Sequence, residues 1–337
     1  MAWWKRNQAP LRRVDQDAQR ELEEIRARRR ERFRILVCID GSDESYEALR
    51  MAKDIGSSNE CDIILLFVRP IDQGLRSGGL QMRVARENML EWGLELPGIQ
   101  YLKRGLDMLV GEDRLAEDWE LITSHTDIRG DPLGDNKIEY VNGSGKSVVL
   151  KLKTAPDPAS GILDQYELGP YNVVIMGNPS RWRGEIKSVL QAGVVQKVAM
   201  LSPCSVLVAR EQAGKDGFLI CTDGSEQCLN ALRQTAVLAK HCAKPITLMG
   251  VARTEDDIDR VDASLQSARS MLDDIGINTR AVVSKVGDPV ERIVETGSNY
   301  ELITVSDSGK SRVKRFLAGS VAFDVMGASA RSVLNVR

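Results

Sequence analysis

The sequence predicts an α/β protein made of two tandem, doubly wound, open parallel sheets of five strands each. Three observations predict it. Apolar runs such as those in "DIILLFV" and "NVVIMG" are nearly continuous, as in parallel strands buried on both faces. Strands alternate with helix-like segments, which dictates right-handed β-α-β units. The same ordered set of strands, turns and helices occurs twice.

Each copy opens on a short apolar strand that runs into Asp-Gly-Ser, at Asp40-Gly41-Ser42 and again at Asp223-Gly224-Ser225. The serine is a good N-cap, and the acidic residues after it suit the positive end of the following helix. A second strand reaches Val68 in one copy and Val251 in the other. The third turns through Asp-Pro into a helix, "KTAPDPASG" against "SKVGDPVER". A fourth strand, a helix and a final strand close each copy, ending in "SVLVAR" and "SVLNVR". The domains are expected at 33–210 and 216–337. In such sheets ligands lie outside the carboxyl ends of the strands, where strand order reverses.

At 337 residues the chain can bury two cores. Hydrophobic residues at 42% and charged residues at 28% fit a soluble globular protein, and a net charge of -2 gives no field that draws nucleic acid. No apolar run approaches the ~18 residues of a membrane span, and "MAWWKRNQAP" lacks the apolar core of a secretion signal, so a cytoplasmic protein is expected. Six cysteines without a C-x-x-C pair read as buried thiols, and two histidines offer little for a metal site or a triad. No catalytic or metal-binding residue is assigned.

Gly309-Lys310-Ser311 follows the fourth strand of the second copy and looks like the end of a P-loop. That motif needs a glycine five residues before Gly309, where Thr304 stands. Gly145-Lys146-Ser147 fails likewise, with Tyr140 in that place. The stretch around it reads as a hairpin in which Asn142-Gly143 supplies the positive-φ turn.

The strand-Asp-Gly-Ser opening, the valine closing strand two, the Gly-x-Pro after strand three and the loop after strand four together resemble the universal stress protein family. Nucleotide-binding members show Gly, two residues, Gly, nine residues, then Gly-Ser. The second copy has Ser306, two residues, Gly309, nine residues, then Gly319-Ser320-Val321. The resemblance implies an adenine nucleotide alpha hydrolase-like fold with ATP, ADP or AMP held by the second copy. The implied site is Asp223, Gly224, Ser225, Val251, Gly287, Ser306, Gly309, Lys310, Gly319, Ser320 and Val321. Within it Asp223 holds the adenine side and Val251 meets the base through its backbone. The chemistry of the residues agrees. Glycine admits an anion to backbone amides, and a helix starting at Gly319-Ser320 offers free N–H groups to phosphate. Lys310, Arg312, Lys314 and Arg315 surround the loop with positive charge. In a slow-ATPase reading Asp223 and Asp307 could bind Mg2+ or position water.

The first copy keeps Asp40, Val68, Gly177 and Gly193. Ser180 replaces the second glycine, Val194 replaces the serine, and Pro156 stands where the second copy has Gly287. It reads as a degenerate site that binds nucleotide weakly or not at all.

Two segments are extra. Residues of about 71–145 read as an insertion, with helical stretches interrupted at Pro97-Gly98 and then strands joined by polar turns. Residues 1–32 carry ten basic and six acidic side chains, and Leu11, Val14, Ala18, Leu22 and Ile25 share one helical face. The insertion reads first as a lid or elaborated edge and otherwise as a surface for a protein partner, and residues 1–32 are the other candidate partner surface. Trp3 and Trp4 beside Lys5 and Arg6 also suit a membrane surface, as the lesser alternative to a helix packed on the body or a partner. Family members pair through the last strand, so the resemblance implies an internal pseudo-dimer, with homodimerisation of the whole chain left open. Three function classes follow: a nucleotide-responsive regulator that signals through a partner, a slow ATPase, and an interaction module that binds no nucleotide. The first is favoured, because no general-base or arginine-finger constellation is visible.

Overall fold

The architecture is that of a computed structural model, which describes residues 27, 31–70, 97–111, 118–128, 131–167, 171–178, 193–210, 216–306 and 320–337. The first repeat contains β1 (Phe33–Cys38), α1 (Asp43–Ile55), β2 (Cys61–Pro70), α2 (Pro97–Val110), β3 (Trp119–Ile128), β4 (Asp131–Asn142), β5 (Ser147–Ala155), α3 (Pro158–Glu167), β6 (Val173–Gly177), α4 (Val194–Leu201) and β7 (Ser205–Ala209). The second contains β8 (Phe218–Cys221), α5 (Glu226–His241), β9 (Ile246–Ala252), α6 (Ile258–Asp274), β10 (Ala281–Val286), α7 (Pro289–Gly297), β11 (Leu302–Ser306), α8 (Val321–Ala328) and β12 (Ser332–Val336). All strands join one sheet in the order β10-β9-β8-β11-β12-β7-β6-β1-β2-β5-β4-β3. Pairing within each repeat's doubly wound core is parallel.

Successive strand residues point to opposite faces, so each face collects its own core. Ile35, Val37 and Leu65 enter one cluster, while Leu36, Ile64 and Leu66 enter the other. Both faces are covered by helices, which is why the strands read as unbroken apolar runs.

The repeats meet edge to edge through β7 and β12, which pair antiparallel with Leu334 opposite Leu207. An arginine clamps each side of this joint. The guanidinium of Arg210, just after β7, donates to Met326 O at 2.6 Å and Arg331 O at 3.1 Å, and its backbone N–H donates to Ser332 Oγ at 3.0 Å. Arg337, just after β12, mirrors it: its guanidinium donates to Ala199 O and Ser202 O, and its N–H to Ser205 Oγ at 3.2 Å. This reciprocity is the mark of a two-fold interface, here built inside one chain.

Two sequence expectations change. Pro97 is the first described residue of α2, and the stretch expected to be helical before it lies outside the described residues. α2 packs on β2 and β5 as α6 packs on β9 and β10, so it is the ordinary crossover helix of the fold. Extra chain among the described residues is instead the β3–β4 hairpin, which pairs antiparallel onto the edge of β5. In the turn from β4 to β5 the positive φ belongs to Gly145, at 79°, and not to Gly143. Asn142 builds that turn, its Oδ1 accepting from Ser144 N at 3.0 Å and Lys146 N at 2.9 Å. Among the described residues no helix is long and apolar enough to cross a membrane.

Candidate functional site

Strand order in the second repeat reverses between β8 and β11, and the carboxyl ends of these two strands border the crevice there. Asp223 is exposed at the end of β8, its Oδ1 accepting from Ser225 N at 2.9 Å. Ser225 caps α5, its Oγ accepting from Cys228 N at 3.3 Å. Gly224 between them has φ 78°, and a Cβ there would collide with Ser264 Oγ of α6, so both conformation and space require glycine. Partial burial raises the Asp223 carboxyl, but hydrogen bonds from Cys228 and Ser225 outweigh it and hold it below the usual carboxylate range. Asp223 is thus a fixed anionic acceptor at the mouth of the crevice.

Ser306 ends β11 on the other side, and its Oγ lies 2.9 Å from Cys228 Sγ, bridging the crevice. Burial, then the Asp223 carboxylate, push the Cys228 thiol up, so it is a protonated donor rather than a nucleophile. Ser306 sits in regular strand; among the described residues Ala243 is the one non-glycine with positive φ, so serine in place of the family glycine brings no backbone strain.

Val251 is half-buried near the end of β9. Gly287, beyond β10, donates its N–H to Ala252 O at 2.9 Å. Arg292 folds back over it, donating Nε to Val286 O at 3.1 Å and Nη1 to Glu295 Oε2 at 2.7 Å. Ser320 caps α8, its Oγ accepting from Phe323 N at 3.3 Å, and Val321 opens that helix. Burial and the nearby Asp288 charge push the carboxyl of Asp324, in the first turn of α8, upward. That coupling puts the turn after β10 beside the start of α8. Asp307, Gly309, Lys310 and Gly319 lie outside the described residues, as do Ser180, Arg312, Lys314 and Arg315. No cluster of three or more metal-ligating side chains gathers among the described residues. Sequence reasoning missed Cys228, Ser264 and Arg292; setting the two copies side by side would have exposed Arg292, where the first has Gly161.

The profile of the Universal stress protein family matches residues 31–210 and again 217–337. The chain belongs to the universal stress protein family. Among solved structures it is similar to a universal stress protein from Archaeoglobus fulgidus DSM 4304, at 17% identity over 90% of this chain and 96% of that one, TM-score 0.54. It is also similar to a functionally unknown protein from Pseudomonas aeruginosa PAO1, at 13% identity over 92% and 94%, TM-score 0.54. A universal stress protein from Archaeoglobus fulgidus in complex with dAMP matches 36% of this chain and 98% of its own, at 16% identity and TM-score 0.30. No curated protein matches the chain.

This universal stress protein treats the same positions differently in its first repeat. Gly177 ends β6 against the first turn of α1, where a Cβ would run into the Glu44 carbonyl. Gly177, read from sequence as part of a degenerate site, thus packs the strand end on helix backbone with no room for a side chain. Asp157 and Asp288 both N-cap their helices through backbone amides, so Gly161 is the counterpart of Arg292. Through Gly161, α3 lies directly on Val68, with a Cβ at that glycine only 2.5 Å from Val68 Cγ1. The Tyr101 ring stands over Gly41, and the Phe67 ring packs beside it, tilted by 51° with centroids 5.8 Å apart. The second repeat has Ser264 and Gly250 in those places. Gly193 caps α4 as Ser320 caps α8, and the two helices end on Ser202 and Ser329. Gly193 itself, rather than Val194, therefore takes the place of the capping serine.

Proposed function

We propose that the second repeat binds an adenine nucleotide in the crevice between β8 and β11, that the first repeat binds none, and that a protein partner reads the loaded state. The observation that carries this is the contrast at the point where strand order reverses. Side chains of Ser306 and Cys228 meet across the second crevice, whereas Gly177 rests on the backbone of α1 in the first. In the second repeat Asp223 supplies a carboxylate acceptor for the nucleoside side and the backbone at Val251 meets the base. The start of α8 at Ser320, with Gly309, Lys310 and Gly319, takes the phosphates through N–H groups and positive charge. Arg292 adds a cation beside Gly287.

Calorimetry on the intact chain with ATP, ADP and AMP, with and without Mg2+, tests the reading. One site per chain is expected. Asp223→Ala should weaken it by roughly 10- to 100-fold, the loss of a hydrogen-bonded charge, while Asp40→Ala leaves it unchanged. No heat with any of the three at millimolar ligand, or two equal sites, would overturn it.

A further inference from the structure

Beside the joint between the repeats lies a cavity of about 650 Å³. Its apolar wall includes Phe33, Ile55, Val173, Val237, Leu238 and Val336. Phe33 and Val237 leave 38% and 57% of their surface uncovered, unusual for large apolar side chains in one cavity. The polar groups around it are already used. Asn172 Oδ1 accepts from Arg34 N at 2.8 Å, Thr235 Oγ1 donates to Ala231 O at 3.0 Å, and Ser205 Oγ accepts from Arg337 N at 3.2 Å. What the groove offers an occupant is apolar surface. Arg233 at its rim donates Nε only to a thioether, Met271 Sδ at 2.9 Å, which leaves its charge suited to a carboxylate.

We propose that residues 11–25 of this same chain seat their apolar stripe in this groove. The chain upstream of β1 leaves from Phe33, which is itself part of the wall. The stripe is Leu11, Val14, Ala18, Leu22 and Ile25. A helix turns about 100° per residue. On that count Ala27 points roughly 180° and Glu31 roughly 220° from the centre of the stripe. Both are helical, and both are exposed. A helix running on through residues 11–25 in phase with these two would put its stripe on the side away from water. Fifteen helical residues extend about 22 Å, enough to line a groove of this size. Asp15 and Glu21 lie about 60° to either side of the stripe, where one of them can meet Arg233.

Hydrogen exchange on the intact chain tests this. Amides of residues 11–25 should exchange about tenfold or more slowly than in an unstructured segment. Val237→Asp, at an exposed position that leaves the fold standing, should abolish that protection, and Leu22→Asp should do the same from the segment's side. Four results would overturn the proposal: exchange at the unstructured rate in the parent chain, protection that survives Val237→Asp, protection that fades on dilution and so comes from a second copy, or protection that arises only with vesicles of phosphatidylcholine and phosphatidylglycerol.

Discussion

The two repeats share the five parallel strands of the core, yet treat the position at the end of strand four in opposite ways. Gly177 brings β6 against the Glu44 carbonyl of α1, and nothing larger fits. Ser306 carries a side chain in that position and spends it on Cys228 across the crevice. A glycine in a nucleotide motif is therefore ambiguous. It can admit a ligand to the backbone, or admit one piece of backbone to another. The same lesson holds at α3 and α7, where Gly161 lets a helix sit on Val68 and Arg292 instead arches over Gly287.

The joint is where the copies remain alike, and the largest effect is expected there. Arg210 is 4% exposed and Arg337 is half-buried. Arg210→Ala strips charged donors from the Met326 and Arg331 carbonyls and should cost about 2–4 kcal/mol in chemical denaturation. Arg337→Ala should cost less, because water can reach the carbonyls it leaves. Equal losses would mean that the two halves of the joint are energetically the same despite their different burial.

Exchanging the diagnostic residues tests the crevices directly. Gly177→Ser puts a side chain into backbone and should destabilise by about 1–3 kcal/mol through overpacking. Ser306→Gly removes only a hydroxyl contact and a little strand propensity, so it should cost about 1 kcal/mol or less. Nucleotide affinity, read by the same calorimetry, should survive Ser306→Gly. If Gly177→Ser were silent in thermal unfolding, the first crevice would have room that its packing denies, and the functional contrast between the repeats would lose its basis.

Much of this was legible in the sequence because duplication doubles the signal. The strand that ends in Asp-Gly-Ser, the valine of strand two and the Asp-Pro helix start were each readable twice, and the fold and family follow from them. Reading failed where the signal was local and unpaired. The helix after Pro97 read as part of an insertion because its own residues do not say what it covers, and only its packing on β2 and β5 makes it the crossover helix of the fold. Alignment by eye set Gly193 against Gly319, whereas the shared caps set it against Ser320. Cys228 was invisible because its role depends on which strand end lies across from it.

The smallest expected effect concerns the tip of α8. Asp324 is held above the ordinary aspartate range, by burial first and by the Asp288 charge second. The folded chain thus binds this proton more tightly than the unfolded chain does. Stability from the group is complete below the unfolded pKa of about 3.9 and is lost as pH rises through the raised value. At neutral pH the ionised carboxylate is therefore a liability, and Asp324→Asn should unfold at a higher temperature than the parent at pH 7, with the difference vanishing on acidification. Removing the charge should also strengthen anion binding at Ser320 on the order of twofold at low salt, an effect that salt would erase. A variant less stable at pH 7 would reverse the logic: the free N–H groups of α8 would then be better served by the chain's own carboxylate than by a phosphate, and the second crevice would resemble its sibling more than its residues suggest.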